Sequence, residues 1–343
     1  MFRRRANPAR IPATRACTPK NPSPVAPRCS ARDRSPRATS FMTSHDGAPP
    51  HAPEAAFVHS RSVRLHVDVQ GPRRAPLVLL IHGWGGGAFD FAPLMEQLSG
   101  DHLCVAAVDL RGYGRSDKTP RGYDLTTAAS DMAGAVRGLG HTRATVVGHG
   151  FGGMVGWTLA AHAPDRVRNL VSLSSAHPVV MFRYVASHPF SQWRLLRRTL
   201  AAQVPRLPEH RLVKSDAALA EKIFRAHVGP GFRDTELYSY MAAQRRAAMQ
   251  VDKVAHLSSE YQRWPFRSRF RPEGAIFDSS FPRKIKPPVL AIDGNMDPNY
   301  SSAVARKSAK RAASFRSELL YGVGHYPHIE DPEAVADQIR GLF

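Results

Sequence analysis

The chain has 343 residues, 43% of them hydrophobic, and a formal net charge of +20. That size and apolar content suit one large globular domain or two modest ones, and no run approaches the roughly eighteen uninterrupted apolar residues of a membrane-spanning helix. Its three cysteines, Cys17, Cys29 and Cys104, form neither a disulfide framework nor a metal-ligand spacing, so a cytoplasmic protein without metal or organic cofactor is expected.

The basic excess is uneven. Residues 1–55 hold ten Lys/Arg against three Asp/Glu, residues 177–287 hold twenty against nine, and the rest is nearly balanced. Solvated surface is the plain account of such charge; attraction to an anionic membrane surface or an anionic substrate is the sharper one. Nucleic acid is not expected, because no helix-turn-helix, finger or aromatic-platform motif accompanies the charge.

In chain order, residues 1–55 are rich in Pro, Arg, Ser and Ala and lack hydrophobic periodicity, so they bury too little apolar surface to offset their ordering entropy. Three readings fit this tail: a disordered extension, an organelle transit peptide, and a misassigned start with Met42 as first residue. No apolar stretch follows Met1-Phe2-Arg3-Arg4-Arg5, which argues against a secretory signal. Strands and helices then alternate. Val63–Val69 alternates polar and apolar residues as a half-buried strand does. Leu77–Ile81, Cys104–Val108, Ala144–Val147, Leu170–Leu173 and Val289–Ile292 are continuous apolar runs, as in strands covered on both faces. Helical patterns fall at Phe89–Leu98, Thr126–Leu139, Phe151–His162, Ser301–Ala312 and Pro332–Leu342. The alternation predicts an α/β fold with a mostly parallel sheet and helices on both faces. Residues 177–287 break the rhythm with no convincing strand. They are expected to form an inserted helical cap, leaving 56–176 and 288–343 as the sheet core.

The segments with chemistry lie at strand ends. His82-Gly83-Trp84-Gly85-Gly86-Gly87 follows the run ending at Ile81, and its glycines let backbone approach closely enough for an amide to face a developing oxyanion. Asp109-Leu110-Arg111-Gly112-Tyr113-Gly114-Arg115-Ser116 follows Val108. It resembles the D-x-R-G-x-G-x-S motif of α/β-hydrolases. Gly148-His149-Gly150-Phe151-Gly152 sits between a strand and a helix, where that family places its nucleophile elbow, G-x-nucleophile-x-G. Gly148 and Gly152 match the elbow glycines, but the central position is Gly150, where the family keeps Ser or, in epoxide hydrolases and dehalogenases, Asp. Glycine is comfortable at a strained backbone position and has no side chain with which to attack.

The resemblance, which covers residues 56–343, implies an α/β-hydrolase fold with Asp297 of Gly294-Asn295-Met296-Asp297 as the triad acid and His325 as the triad histidine, in the family's chain order. It also implies amides of Trp84 and Phe151 as the oxyanion hole, and His82 as a substrate contact. Gln203-Val204-Pro205, Pro208-Glu209 and Glu260-Tyr261-Gln262-Arg263 resemble stretches of epoxide hydrolase caps. By that match Tyr261 would hold the epoxide oxygen, with packing as its other role; the second cap tyrosine has no counterpart in Arg197–Ala202. The expected function is an epoxide hydrolase-like or esterase-like hydrolase of a small hydrophobic substrate in which His325 and Asp297 activate water. The alternatives are an inactive pseudohydrolase that binds a ligand or partner, and a replacement nucleophile at Ser174 or Ser175.

Overall fold

The structure, a computed structural model, describes residues 53–100, 102–188, 190 and 193–343. The expectation for the N-terminal tail falls, except for its last three residues, outside the described residues. Eight strands form one sheet: β1 (Glu54–Ser60), β2 (Val63–Gln70), β3 (Leu77–Ile81), β4 (Cys104–Val108), β5 (Ala144–His149), β6 (Val167–Leu173), β7 (Val289–Gly294) and β8 (Phe315–Leu320). Their spatial order is β1-β2-β4-β3-β5-β6-β7-β8, with the β1–β2 and β2–β4 pairs antiparallel and the other neighbouring pairs parallel.

Between the strands run α1 (Ala92–Gln97), α2 (Leu125–Gly138), α3 (Phe151–His162), α4 (Pro178–Ser187), α5 (Trp193–Ala202), α6 (Leu207–His227), α7 (Glu236–Gln250), α8 (Val254–Arg267), α9 (Pro272–Ser279), α10 (Ser302–Ala309), α11 (Pro327–Glu330) and α12 (Pro332–Arg340). Every residue of β3, β4 and β5 is buried, and the strand period of two divides them between two cores. Leu77, Leu79, Ile81 and Val146 pack with residues of α2 and α3, whereas Val78, Leu80 and Val147 pack with residues of α1 and α12. This explains why these strands read as unbroken apolar runs.

Two edges differ from expectation. β1 begins at Glu54, two residues inside the segment assigned to the tail, because Glu54 and Ala55 pair with Val69 and Asp68. β8 carries Arg316, Ser317 and Glu318 and is only partly buried, so its sequence lacks the apolar continuity of the inner strands. Among the described residues, 177–287 contribute α4 to α9 and no strand beyond a single bridge from Ile285 to Ala312. No helix among the described residues is long and apolar enough to cross a membrane.

The helical segment is tied to the sheet by a buried ion pair. Arg245 on α7 donates from Nη2 to Asp90 Oδ1 at 2.8 Å, with both side chains almost wholly excluded from solvent. Its guanidinium lies between the rings of Phe224 and Tyr326, 4.6 and 4.5 Å from their centroids. The pair is imperfect, since Asp90 Oδ2 and Arg245 Nε are buried without partners among the described residues.

A buried pair with such loose ends adds little over apolar side chains of similar volume, but a half-pair is costly. Arg245→Ala should therefore lower stability by about 3–5 kcal/mol, because it leaves the Asp90 carboxylate buried and unpaired. The double change Asp90→Leu, Arg245→Met should cost less than Arg245→Ala alone. Urea unfolding of the three proteins checks this; a double variant weaker than the single one refutes it.

Candidate active site

The site forms at the carboxyl ends of the parallel strands, where α/β sheets place ligands. β5 turns into α3 through Gly150, which has φ 52° and ψ −112°. The turn is packed to contact. A Cβ added at Gly148 would stand 2.3 Å from the Gly152 oxygen, and one at Gly152 would stand 2.2 Å from the Ile81 oxygen. Gly150 differs. A Cβ there would meet His325 Nε2 at 3.5 Å and Gly83 Cα at 3.9 Å, both ordinary contacts, so the left-handed φ and not crowding is what favours glycine.

His325 lies in the loop between β8 and α11. Its Nδ1 is 2.7 Å from Asp297 Oδ2. A carboxylate only accepts, so Nδ1 carries the proton and Nε2 presents its lone pair toward residue 150. Asp297 is held in turn: its Oδ1 accepts the Asn299 amide at 2.8 Å. The histidine's own backbone is fixed from the helical segment, with His325 N donating to the His227 oxygen at the end of α6 at 2.8 Å. Glu330 closes the arrangement. Its Oε2 accepts the amides of Gly229 and Gly324 at 2.7 and 2.8 Å, and its Oε1 accepts that of Tyr326 at 3.0 Å. One carboxylate thus grips both the histidine loop and the chain leaving α6.

A cavity of about 470 Å³ opens over these groups, lined mainly by apolar and aromatic side chains with a few polar ones. Structure brings Gly150, His325, Asp297, Trp84, Phe151 and Tyr261 to its wall. The Trp84 indole donates to the Ser258 oxygen on α8 at 3.2 Å. Phe151 opens α3, so its amide has no partner inside the helix.

The two expected substrate contacts are placed differently from one another. His82 is not a cavity residue. It is fully buried, its Nδ1 donates to the Gly83 oxygen at 2.7 Å, and its Nε2 accepts the Leu110 amide at 3.0 Å. Both ring nitrogens serve the backbone, and burial lowers its basicity. Tyr261 borders the cavity with its ring, but its hydroxyl donates to the Arg111 oxygen at 3.1 Å. A hydroxyl has one proton, so Tyr261 as placed does not offer it to a substrate oxygen. The ring instead packs against Tyr113, Tyr123 and Phe151, and burial pushes its acidity far down.

The serines after β6 separate. Ser175 donates its hydroxyl to the Gly150 oxygen at 2.7 Å, which makes it a brace of the elbow. Ser174 adopts a left-handed backbone with φ 44°. Its buried Oγ, on the cavity wall, has no partner among the described residues. Sequence reasoning missed Asp293. It ends the apolar run of β7 and lines the cavity beside Asp297. An acid closing a fully buried strand was the signal that could have found it. Burial, and then the Asp297 carboxylate, push the Asp293 carboxyl up to about 7, with His325 pulling it down. His149, the residue before Gly150, donates from Nε2 to the His325 oxygen at 2.9 Å. Burial first, and then the neighbouring imidazoles of His328 and His325, hold its basicity well below that of a free imidazole.

The chain matches the family model described as alpha/beta hydrolase fold over residues 76–332. It is 36% identical to a protein named epoxide hydrolase 3 of Xenopus tropicalis, over 81% of this chain and 74% of that one. It is 31% identical to a 2-(acetamidomethylene)succinate hydrolase of Mesorhizobium japonicum, over 81% and 92% of the two. Among solved structures, a putative epoxide hydrolase of Klebsiella pneumoniae superposes with a TM-score of 0.73 at 20% identity, covering 84% of this chain and 97% of that one.

Asp293 gives a pH signature. Its folded-state pKa of about 7 stands above the ordinary carboxyl value of 3.8, so the native state holds this proton more tightly than the unfolded chain does. Stability must then fall as pH rises between those values and level off above them. In Asp293→Asn that contribution is gone. The melting temperature of the variant relative to wild type should climb from pH 4 to pH 7 and then stay flat; a pH-independent difference refutes the assignment.

Proposed function

The chain belongs to the α/β-hydrolase fold family, in its epoxide hydrolase-like branch, and on that premise we propose that it hydrolyses a small hydrophobic substrate by direct attack of water. The observation that carries this reading is the position of His325. Its Nδ1 is bound to Asp297 at 2.7 Å, while its Nε2 stands 3.5 Å from where a Cβ of residue 150 would be. The base is therefore aimed at a space that a nucleophile's side chain would fill, and a water fits there. In this scheme the water oxygen bonds to the electrophilic carbon as its proton passes to Nε2. Asp297 stabilises the imidazolium, as the acid of a triad does. With an epoxide, the carbon–oxygen bond breaks and the freed oxygen takes up the proton that His325 received, which returns the base to its starting state. With an ester, the amides of Trp84 and Phe151 would face the oxyanion, whose collapse breaks the ester carbon–oxygen bond and expels the alcohol as it takes the proton held by His325. Residues 177–287 act as the cap, excluding bulk water from the cavity.

The relatives' names point to epoxides, and the apolar aromatic lining points to a hydrophobic body. The carboxyls of Asp293 and Asp297 make an anionic group near His325 unfavourable. A second reading, a ligand-binding module without turnover, is favoured by Tyr261, whose committed hydroxyl leaves the oxygen of an epoxide without that donor.

Side chains returned to residue 150 distinguish the two. Gly150→Ser should create ester hydrolysis and Gly150→Asp epoxide opening, each raised about a hundredfold over wild type, that is by roughly 2.7 kcal/mol of barrier. Each variant should lose roughly 1–3 kcal/mol of stability to the left-handed backbone. His325→Ala should abolish the gain, and should also remove the slower wild-type turnover. Folded variants that turn over neither substrate class would establish the binding module instead.

A further inference from the structure

The cavity leads to an unusual piece of surface. Ala186, Arg269 and Phe270 line it and are exposed at the same time, so it reaches the outside between α4 and the end of α8. Leu196 and Thr199 of α5 complete that side of the lining. The elements that carry this opening, α5 with the turn before it and the segment after α8, also bear apolar side chains with no core to cover them. Phe190 is 93% exposed, Trp193 55% and Phe270 76%, and Leu200 is exposed as well. Trp193, Leu196 and Leu200 recur at helical spacing, forming one stripe of α5. Single exposed hydrophobics are common, but a group of large ones beside a cavity mouth marks an interaction surface.

Charge selects the occupant. The segment bearing this surface holds twenty Lys/Arg against nine Asp/Glu. Arg197 on α5 and Arg271, next in the chain to Phe270, are exposed. Arg183 and Arg269 share the single carboxylate of Asp278, which leaves that trio positive. Aromatic and aliphatic side chains among arginines suit the headgroup region of an anionic bilayer, where apolar bodies enter the acyl boundary and guanidinium groups meet phosphate. A protein partner would call for a preformed concave apolar match or a row of acids, and neither the exposure nor the excess of positive charge asks for one.

We propose that this face, built from Phe190, the Trp193–Leu200 stripe and Phe270, is a docking surface for anionic phospholipid membrane that sets the cavity mouth against the lipid. The protein rests on the membrane without crossing it. Hydrophobic molecules dissolved in the bilayer then reach the cavity without passing through water. The route for substrate rests on the hydrolase reading, whereas the docking itself does not, and the two fail separately.

The test uses the full chain with vesicles of phosphatidylcholine, with and without phosphatidylglycerol. Binding should require phosphatidylglycerol and weaken as salt rises, because exposed charges are screened. The N-terminal segment is also basic, so binding alone does not locate the contact. Brominated acyl chains should quench wild-type tryptophan fluorescence, and Trp193→Phe should lose that quenching. Trp193→Ala with Phe270→Ala should bind at least about tenfold more weakly, a loss of about 1.4 kcal/mol, while the variant stays folded with a cooperative thermal transition, since both side chains are mostly exposed. Absence of quenching, equal quenching in Trp193→Phe, or undiminished binding by the double variant overturns the proposal. So does a dimer in sedimentation that the double change dissociates, which would give the face to a second copy. Vesicle binding is read without any turnover, so an inactive protein that docks would sink only the hydrolase reading.

Discussion

The reversal between β5 and α3 leaves no spare volume. Gly148 and Gly152 face backbone at distances where no Cβ fits, and Gly153 faces the Ser175 side chain in the same way. These contacts set the angle at which α3 leaves the sheet, and with it the position of residue 150 over the strand ends. They do not involve the side chain of residue 150. The elbow is therefore a packing device first, and it persists in a chain whose elbow residue has nothing to attack with. Ser175, bonded to the Gly150 oxygen, strengthens the same turn from the next strand.

The electrostatics around the elbow are arranged so that charge stays where it is useful. His82, His149 and His328 are buried and held neutral, chiefly by loss of solvent. Arg245 adds to that effect at His149 and His328 while its own charge is met by Asp90 and two ring faces. His325 differs from these three in having the Asp297 carboxylate as the partner of its Nδ1. Asp293 sits beside that pair as a carboxyl that ionises only with difficulty, so the end of the cavity does not accumulate two full negative charges.

Much of this was legible in the sequence, for physical reasons that differ by residue. The inner strands were readable because both faces are covered and polar residues are excluded. The edge strands β1 and β8 were not, because one-sided burial permits Glu54, Arg316 and Glu318. Asp297 and His325 could be placed because each follows a strand within a short glycine-bearing turn that fixes where it points. Tyr261 could be placed along the chain but not in direction. Its hydroxyl is aimed by the seating of α8 against Arg111, about 150 residues away in sequence, and no local pattern encodes that contact. His82 failed for a similar reason: the turn that makes it adjacent to the site also folds both of its nitrogens back onto the backbone.

The Glu330 carboxylate has a consequence for how molecules come and go. Its Oε2 holds both the chain just beyond α6 and the loop carrying His325, its Oε1 holds that loop a second time, and the His325 amide is itself bonded to α6. A hinged opening of the helical segment would pull on those amides and displace the imidazole from Asp297. Access and readiness to react are thus mechanically linked. A molecule that arrived by lifting the whole segment would find the base dismantled, whereas rotation of side chains at the threshold would leave these bonds intact.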